Sequence, residues 1–292
     1  MCIYAETQLP VGVRGFAKDI KAMVKSVYPD TEYVTTGNMH ITGFNEAIPY
    51  PTIEIHASHI CNLNCAYCSH YSPIAGKSTP VNIDQTIADI EKLSKIPNQS
   101  NYIKQIDVLG GEPLLCKRLE DILVACQSLG TVYTQKFVVS NGILVNADNF
   151  KLCERYGFNL QVTKYPTVTL PDGVHPYQFH DGTCMFTMPK TIEPSNPCHG
   201  KYYCTNGKCL QLRDGAIYLC SASAYADFPE NEFGISLPRS KYDSLKLDNI
   251  DSYEEVILFA YLQHPFCRHC VMDKNKEVPW AKTSRKLDEW FT

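Results

Sequence analysis

The sequence predicts an α/β protein built on a mostly parallel sheet. From residue 51 onward, strand-like runs alternate with helix-like runs, which is the pattern of parallel strands joined by helical crossovers. Three polar or glycine-rich motifs directly follow strands, at residues 59–70, 110–113 and 140–142. In parallel α/β barrels the chemistry gathers at the carboxyl ends of the strands. We therefore expect the three motifs to lie together.

Hydrophobic periodicity and capping signals define the individual elements. Residues 1–50 contain an amphipathic helix and a hairpin, which form either a small docking subdomain or an extra layer over a sheet edge. Asn82 is expected to cap the first helix of the alternating region, and Gly130 is expected to end the second. The alternating strands and helices are predicted at 52–58, 82–96, 106–109, 119–129, 136–139, 147–156 and 159–163.

The first motif contains three closely spaced cysteines, Cys61, Cys65 and Cys68, with no further cysteine before Cys116. Three thiolates on a short loop can hold three irons of a four-iron cluster, because such clusters prefer soft thiolate ligands. The fourth iron then stays open for a substrate or cofactor. The alternative is a zinc site in which His70 completes a Cys3His set.

The order of the three motifs along the chain is more specific than any one motif. The cysteine loop after the first strand, Gly110-Gly111-Glu112-Pro113 after the second and Ser140-Asn141 after the third together resemble the radical S-adenosylmethionine (SAM) superfamily over residues 51–165. The resemblance implies a partial (β/α)6 TIM-like barrel. It also implies that SAM is cleaved reductively at the open iron to a 5'-deoxyadenosyl radical, which abstracts hydrogen from an unactivated carbon.

The resemblance also implies which residues bind SAM. Tyr67 occupies the position that lies against the adenine, while Gly110 and Gly111 meet the SAM amino group on a turn shaped by Glu112 and Pro113. His56 and His59 are expected to be structural. The candidates for the SAM ribose or carboxylate are Ser140, Asn141, and Thr163 or Lys164.

A second group of cysteines lies beyond residue 190. A hairpin around Asp214-Gly215 brings Cys220 close to the cysteines that precede it. The residue pattern alone is compatible with structural zinc or a second iron-sulfur cluster. The stretch resembles the twitch domain of radical SAM enzymes, a shortened relative of the SPASM domain, which implies an auxiliary 4Fe-4S cluster. The expected ligands are Cys220, Cys267 and Cys270 with Cys204 or Cys209 as the fourth, whereas Cys198 is left over.

The remaining cysteines, Cys2, Cys116, Cys126, Cys153 and Cys184, are expected to pack as small hydrophobic residues. The motifs divide the chain into an extension (1–50), a barrel (51–190) and an auxiliary domain (191–292).

A net charge of −4 without a basic run argues against a general nucleic-acid binder. The chain has no apolar run of membrane-spanning length and no secretory signal at its start, so we expect a cytoplasmic protein.

Residues 52–292 also resemble bacterial radical SAM proteins associated with glycosyltransferase and surface-polysaccharide genes. This implies a sugar or nucleotide-sugar substrate that undergoes dehydrogenation, epimerisation or dehydration, with flavodoxin or ferredoxin as the reductant. Peptide maturation is the first alternative, because twitch and SPASM domains also serve peptide maturases. A non-catalytic zinc-binding interaction protein is the alternative of another class.

Overall fold

The structure is a computed structural model of the 292-residue chain. It describes residues 51–76, 80–97, 105–132, 135–179, 185–186, 190–194, 204, 209–261 and 264–292. The helix and hairpin predicted within residues 1–50 lie outside the described residues, as do Cys2, Cys184 and Cys198. In the described part of the chain, no helix is long and apolar enough to cross a membrane.

A single eight-stranded sheet contains β1 (Thr52–Ser58), β2 (Gln105–Gly110), β3 (Gln135–Ser140), β4 (Asn159–Lys164), β5 (Gln178–Phe179), β7 (Cys209–Arg213), β8 (Ala216–Tyr218) and β9 (Ser244–Lys246). The spatial order is β5-β4-β3-β2-β1-β7-β8-β9, and all pairings from β5 to β7 are parallel. A separate antiparallel pair joins β6 (Met185–Phe186) to β10 (Glu277–Val278). The mostly parallel sheet fits the predicted partial TIM-like barrel.

The helices are α1 (Ile83–Ser94), α2 (Leu119–Ala125), α3 (Ala147–Arg155), α4 (Ser221–Ala224), α5 (Asp227–Phe233) and α6 (Tyr253–Tyr261). The first three follow β1, β2 and β3 in turn, as the alternating pattern predicted. The predicted cap of α1 is confirmed, since the Asn82 side chain accepts a hydrogen bond of 3.1 Å from the Gln85 amide. The second predicted helix is shorter than expected, because α2 gives way at Cys126 to 3-10 geometry and Gly130 has a φ of 62°.

The sixth parallel strand comes from the predicted hairpin. Strand β7 pairs in parallel with β1, so that Gln211 lies opposite Glu54. The hairpin therefore covers the edge of β1 that would otherwise be open, which protects that edge from pairing with other chains. The sheet consequently continues across residue 190, and the division of the chain into a barrel and an auxiliary domain stays a prediction.

Two hydrophobic cores lie on opposite faces of this sheet. The larger core packs α1, α2, α3 and α6 against one face, with Ile53, Ile55 and Ile90 fully buried. The smaller core joins the C-terminal part of the chain to the first cysteine loop. Complete burial of a side chain as large as isoleucine stabilises the fold by about 1.5–3 kcal/mol. The smaller core includes Tyr71, Ala222, Tyr225, Phe228, Phe266, Trp290 and Phe291.

The predicted Asp-Gly hairpin turn is confirmed. Asp214 and Gly215 both have positive φ values, of 50° and 74°, as the tight turn of a two-residue hairpin requires. The buried carboxylate of Asp89 on α1 accepts a 2.8 Å hydrogen bond from the Gly215 amide. Extending the β7–β8 register by two pairs would bring Cys220 opposite Cys209.

Candidate functional site

The three cysteines of the first motif lie directly beyond β1, on a segment that we call the cluster loop (residues 59–70). Cys61, Cys65 and Cys68 are half-buried free thiols. Burial raises the pKa of Cys65 to about 12, with added contributions from Cys68 and Cys61. This mutual influence shows that the three sulfurs approach one another. Metal binding at this loop would have to displace the thiol protons.

Nitrogen donors are directed at two of the three sulfurs. The Leu63 amide and the Asn141 side-chain nitrogen lie 3.4 Å and 3.5 Å from Cys61 Sγ. The indole nitrogen of Trp280 donates to Cys65 Sγ at 3.2 Å. Donors of this kind favour the thiolate, which is the form that binds iron. The site therefore fits a cluster held by thiolates.

A four-iron cluster suits this geometry better than a single zinc ion. Each thiolate of such a cluster binds its own iron, so the sulfurs need not converge on one point. Among the described residues, no three His, Cys, Asp or Glu side chains converge on a single ion position. His70, the fourth ligand of the zinc alternative, directs Nε2 to Glu54 at 3.1 Å and Nδ1 to Ser69 at 3.2 Å. The structure therefore does not support a Cys3His site.

The backbone of the cluster loop is strained. Tyr67 has a φ of 59°, and Tyr71, one residue beyond the loop, has a φ of 55°. A bulky residue in the left-handed region costs on the order of 1–3 kcal/mol, and such strain concentrates at functional sites. Burial of the Tyr71 ring in the smaller core helps to hold the strained conformation.

The glycines of the second motif approach protein backbone. A Cβ atom on Gly110, whose φ is 134°, would lie 2.1 Å from the Ser58 carbonyl oxygen. A Cβ atom on Gly111 would lie 2.2 Å from the Ile60 carbonyl oxygen. The Gly111 and Glu112 amides donate to those same two oxygens, at 2.7 Å and 2.8 Å. Glycine is therefore required here to dock the turn onto the start of the cluster loop, a role that the sequence analysis did not predict.

We expect Gly111→Ala to reduce the free energy of unfolding by about 2–4 kcal/mol, because the clash is with backbone that cannot rotate away. Iron retention should fall in parallel, since the displaced segment leads into Cys61. Urea unfolding and iron content after anaerobic reconstitution measure the two effects. Gly157→Ala is the matched control: Gly157 has a φ of 71° but no atom within 4 Å of an added Cβ. It should cost about 1–2 kcal/mol and leave iron content unchanged.

Glu112 joins the ends of β2 and β3. Its fully buried carboxylate accepts hydrogen bonds from Ser140 Oγ at 2.8 Å, the Asn141 amide at 2.8 Å and the Leu114 amide at 3.1 Å. Burial raises the pKa of Glu112, and these hydrogen bonds oppose that shift. The Asn141 side chain continues to the cluster loop, where it donates to Asn62 Oδ1 at 2.7 Å. The three predicted motifs are thus linked directly.

Comparison with known proteins identifies this region. Residues 55–165 match the family model of the Radical SAM superfamily. This segment is a radical SAM domain. It contains the three cysteines, the glycine turn, the end of β3 and the end of β4, on which the resemblance in the sequence depends. The family implies a 4Fe-4S cluster and SAM as cofactors, and the donor groups around Cys61 and Cys65 fit that cluster.

Individual proteins of known identity are similar to parts of this chain. GTP 3',8-cyclase of Corynebacterium glutamicum is 36% identical over 88 residues, which cover 28% of this chain and 22% of that protein. The solved structure of BtrN in complex with AdoMet and 2-DOIA has a TM-score of 0.46 and 13% identity, and covers 76% of this chain and 93% of BtrN. The structure of Streptococcus suis SuiB bound to precursor peptide SuiA has a TM-score of 0.28 and 15% identity, and covers 52% of this chain and 36% of SuiB. Both TM-scores are below 0.5, so the family assignment rests on the matched domain.

The SAM contacts predicted within the radical SAM domain stay predictions at the level of single residues. Ser140 Oγ accepts from the Gly142 amide at 3.1 Å while it donates to Glu112. Asn141 Oδ1 accepts from the Ile143 amide at 3.1 Å. Both side chains thus make hydrogen bonds within the third motif itself. Tyr67 and Lys164 are half-buried at the cluster loop and the end of β4, and Pro113 is buried at the start of a 3-10 turn.

Tyr165 is a site residue that the sequence analysis missed. Burial raises the pKa of Tyr165, and the thiols of Cys65, Cys68 and Cys61 add to the shift. Its ring centroid lies 6.3 Å from that of Trp280. The sequence feature that could have identified Tyr165 is its position directly after β4, next to the predicted candidates Thr163 and Lys164.

Lys190 is a buried lysine next to the second group of cysteines. This lysine is 3% exposed and forms an isolated antiparallel bridge with Cys270. Burial lowers the pKa of Lys190, and the neighbouring thiols of Cys270, Cys220 and Cys204 oppose that shift. A buried ammonium at this position would offset the negative charge of thiolate ligands. Lys190 was not predicted, because no local pattern marks it.

The fourth ligand of this group stays open. Cys267 is buried three residues before Cys270, in the 3-10 turn Pro265–His269. Cys209 lies opposite Cys220 but also close to Glu54, and burial together with that carboxylate raises its pKa. The auxiliary ligand set and the second cluster therefore stay predictions.

The sheet face opposite the larger core carries buried polar side chains. We call Glu54, His56, Asp107, Gln211 and Tyr225 the polar face. Glu54 accepts hydrogen bonds from His70 Nε2 and Gln211 Nε2. Burial alone would raise the pKa of Glu54, but these partners lower it on balance. The His56 ring stacks on Tyr225 at a centroid distance of 4.1 Å. Within the described part of the chain, His56 Nε2, Gln211 Oε1 and Tyr225 OH have no hydrogen-bond partner.

Asp107 lies beside Glu54 on the neighbouring strand. Gln105 Nε2 donates to both of its carboxylate oxygens, at 3.0 Å and 3.1 Å. Burial nevertheless raises the pKa of Asp107 from 3.8 to about 7, and the charge on Glu54 adds to the shift. The two adjacent carboxyl groups thus differ: Glu54 stays ionised and Asp107 titrates near neutral pH.

We predict that Asp107 makes the fold less stable as pH rises. A carboxyl group whose pKa is higher in the folded state binds more protons there, so its contribution is complete below pH 4 and is lost between about pH 4 and 7. Asp107→Asn should remove that loss. Relative to wild type, the variant should gain up to about 3 kcal/mol in free energy of unfolding between pH 5 and pH 8. Urea unfolding of the cluster-free protein at both pH values measures it, and parallel pH profiles would contradict the prediction.

Proposed function

We propose that this protein is a radical SAM enzyme that modifies a sugar or nucleotide sugar by dehydrogenation, epimerisation or dehydration. When bound at Cys61, Cys65 and Cys68, the cluster and SAM supply a 5'-deoxyadenosyl radical by reductive cleavage. The chain itself contributes the loop that positions these cofactors and a buried surface that orients the substrate. The proposal of a sugar substrate depends on the polar face.

The polar face suits a ligand rich in hydroxyl groups. His56 Nε2, Gln211 Oε1 and Tyr225 OH are buried and unpaired within the described residues, and a buried polar atom without a partner costs about 1–3 kcal/mol. Hydroxyl groups both donate and accept hydrogen bonds, so they match the hydrogen-bonding chemistry of these three atoms. Burial lowers the pKa of His56 well below its usual value, which keeps the ring neutral. Neutral and acceptor groups favour an uncharged polyol over an anionic group.

The carboxyl pair on the same face supports reactions that move a proton. Dehydrogenation and dehydration of an alcohol each require a proton to leave or join a substrate oxygen, whereas radical epimerisation ends with the return of a hydrogen atom. Asp107, with a pKa of about 7, can exist in either protonation state at neutral pH, while Glu54 stays ionised. Groups with divergent pKa values in one site are typical of acid-base pairs. We propose Asp107 as the group that exchanges this proton.

We also propose that the second cysteine group holds an auxiliary 4Fe-4S cluster, with Cys204, Cys220 and Cys270 as three of its ligands. The support is the backbone bridge between Lys190 and Cys270 together with the influence of the three thiols on the pKa of Lys190. Such a cluster could accept an electron during a net oxidation, which favours dehydrogenation among the three outcomes. The expected reductant of the first cluster is a flavodoxin or ferredoxin.

The test combines iron analysis with isotope transfer. After anaerobic reconstitution we expect about eight irons per chain for two four-iron clusters. UDP-, GDP- and dTDP-linked hexoses with ring deuterium are then supplied with SAM and dithionite. Deuterium in 5'-deoxyadenosine would identify a sugar as the hydrogen donor. Transfer from a labelled peptide and from none of the hexoses would instead favour a peptide maturase. Zinc without iron, and intact SAM, would overturn the proposal.

Gln211→Leu separates substrate binding from SAM cleavage. The change removes the unpaired acceptor Oε1 together with the hydrogen bonds that Gln211 Nε2 donates to Glu54 and to the Cys209 carbonyl, and it changes none of the three cysteines of the cluster loop. We expect the sugar-dependent rate to fall about tenfold or more, as for the loss of one substrate hydrogen bond, while SAM cleavage without substrate stays unchanged. Equal losses in both assays would point to a structural effect.

A further inference from the structure

The C-terminal segment 280–292, which we call the strap, runs along the cluster loop. The Ala66 amide donates to the Ala281 carbonyl at 2.9 Å, and the Thr283 amide donates to the Asn64 carbonyl at 2.9 Å. An isolated antiparallel bridge pairs Cys65 with Lys282. The strap therefore pairs with the loop through backbone contacts, at a distance of more than 200 positions in sequence.

Both tryptophans of the chain lie in the strap and donate to the cluster loop. Trp280 Nε1 lies 3.2 Å from Cys65 Sγ. Trp290 Nε1 lies 3.0 Å from the Cys68 carbonyl oxygen. An indole can only donate a hydrogen bond, so both contacts have a defined direction. The two contacts differ in one respect: Trp280 reaches a ligand sulfur, whereas Trp290 reaches a backbone oxygen.

The strap is anchored at its far end. Trp290 is 2% exposed and packs in the smaller core beside Tyr71. The Lys190 amide donates to the Trp290 carbonyl at 2.9 Å, and the Thr292 amide donates to the Lys190 carbonyl at 2.7 Å. The Glu289 carboxylate accepts from the Ser284 amide at 2.6 Å, which closes the turn between the two tryptophans. The Trp280 indole is therefore held against Cys65 by a rigid segment.

We propose that Trp280 is a positioning residue that raises the reduction potential of the cluster on Cys61, Cys65 and Cys68. Hydrogen bonds to ligand sulfurs are one of the factors that set the potential of an iron-sulfur cluster. An added electron increases the negative charge on the thiolates, so an N–H donor stabilises the reduced state more than the oxidised state. The Trp280 contact of 3.2 Å is shorter than the nitrogen-to-sulfur contacts of 3.4 Å and 3.5 Å at Cys61.

The inference depends on the iron-sulfur cluster of the radical SAM domain and is independent of the sugar substrate. Trp280→Phe removes the N–H group and keeps an aromatic ring next to Tyr165. Trp290→Phe is the matched control, because it removes an equivalent N–H group that does not reach sulfur. Redox titration of the reconstituted full-length protein with dithionite and mediators, followed by electron paramagnetic resonance, gives the readout. Only a cluster with an open iron can bind SAM, so the signal that changes on addition of SAM belongs to this cluster.

At a fixed solution potential, we expect the ratio of reduced to oxidised cluster to fall about tenfold in Trp280→Phe, which corresponds to about 59 mV for one electron. In Trp290→Phe the ratio should stay within about twofold of wild type. Equal ratios in all three proteins would overturn the inference. An equal fall in both variants would also overturn it, since the strap would then act through loop order alone. Iron content and thermal unfolding check that each variant is folded and loaded. If the ratios are unchanged while SAM is still cleaved, the inference fails and the proposed function stands.

Discussion

Cys65→Ala should remove about four irons per chain and abolish the formation of 5'-deoxyadenosine. Cys65 is one of the three thiols of the cluster loop, and no other cysteine is available as a replacement ligand in that loop. Mutations of groups that support a metal ligand cost about 10–100-fold in metal affinity or activity, so loss of a ligand itself should exceed about a thousandfold. Iron analysis and a SAM-cleavage assay under dithionite measure the two effects.

Cys126→Ala is the matched control for that experiment. Cys126 is fully buried in the larger core, and burial raises its pKa to about 12, which keeps the thiol inert. Its replacement should cost about 1 kcal/mol of stability through lost packing and leave both iron content and SAM cleavage intact. Full SAM cleavage by Cys65→Ala would contradict the assignment of the loop. Iron loss in Cys126→Ala would contradict its assignment as a packing residue.

Glu112→Ala should be the most destabilising single change among the motif residues outside the cysteines. It would leave Ser140 Oγ and the amides of Asn141 and Leu114 without their acceptor. Each unpaired buried donor costs about 1–3 kcal/mol, so we expect the free energy of unfolding to fall by about 4 kcal/mol. Iron retention should also fall, because Asn141 would no longer be held against Cys61. Urea unfolding and iron analysis provide the measurements.

Two comparison variants, Glu112→Gln and Glu120→Ala, should lose less stability than Glu112→Ala. The glutamine keeps one acceptor oxygen, but its NH2 group replaces the second oxygen and cannot accept a hydrogen bond. Glu112→Gln should therefore lower the free energy of unfolding by an intermediate amount, about 2 kcal/mol. Glu120 is exposed and accepts from Arg155 at 3.1 Å and Tyr156 at 2.7 Å. Surface contacts of this kind contribute about 0–1 kcal/mol, so Glu120→Ala should be nearly neutral. Similar losses for Glu112→Ala and Glu120→Ala would show that the buried carboxylate is not a structural link.

Sequence patterns predicted the order of the main elements because each pattern depends on neighbouring residues. The cap at Asn82 and the hairpin turn at Asp214-Gly215 are confirmed, and both are determined by local backbone conformation. The pairing of β7 with β1 was not predicted. A short hairpin strand carries no local signal for the sheet edge that it will cover, so its location depends on which edge the rest of the fold leaves open.

The same distinction applies to the glycine turn. The sequence marked Gly110 and Gly111 as positions of close approach, and the structure confirms that closeness. The structure shows that the backbone of Ser58 and Ile60 approaches these glycines. The contact of the glycine turn with the SAM amino group stays a prediction. A glycine reveals that space is restricted, but its neighbours across the fold decide what restricts it.

By itself, the sequence determined the radical SAM identity of residues 55–165, because the three cysteines and the motifs after each strand are specified by spacing along the chain. Tertiary structure alone decided which groups surround those cysteines. Trp280 meets Cys65 across 215 positions, Asn141 meets Cys61 across 80, and Lys190 forms a backbone bridge with Cys270 of the second cysteine group. The physical reason is that such contacts depend on how separate elements pack, and packing leaves no periodic pattern in any one segment.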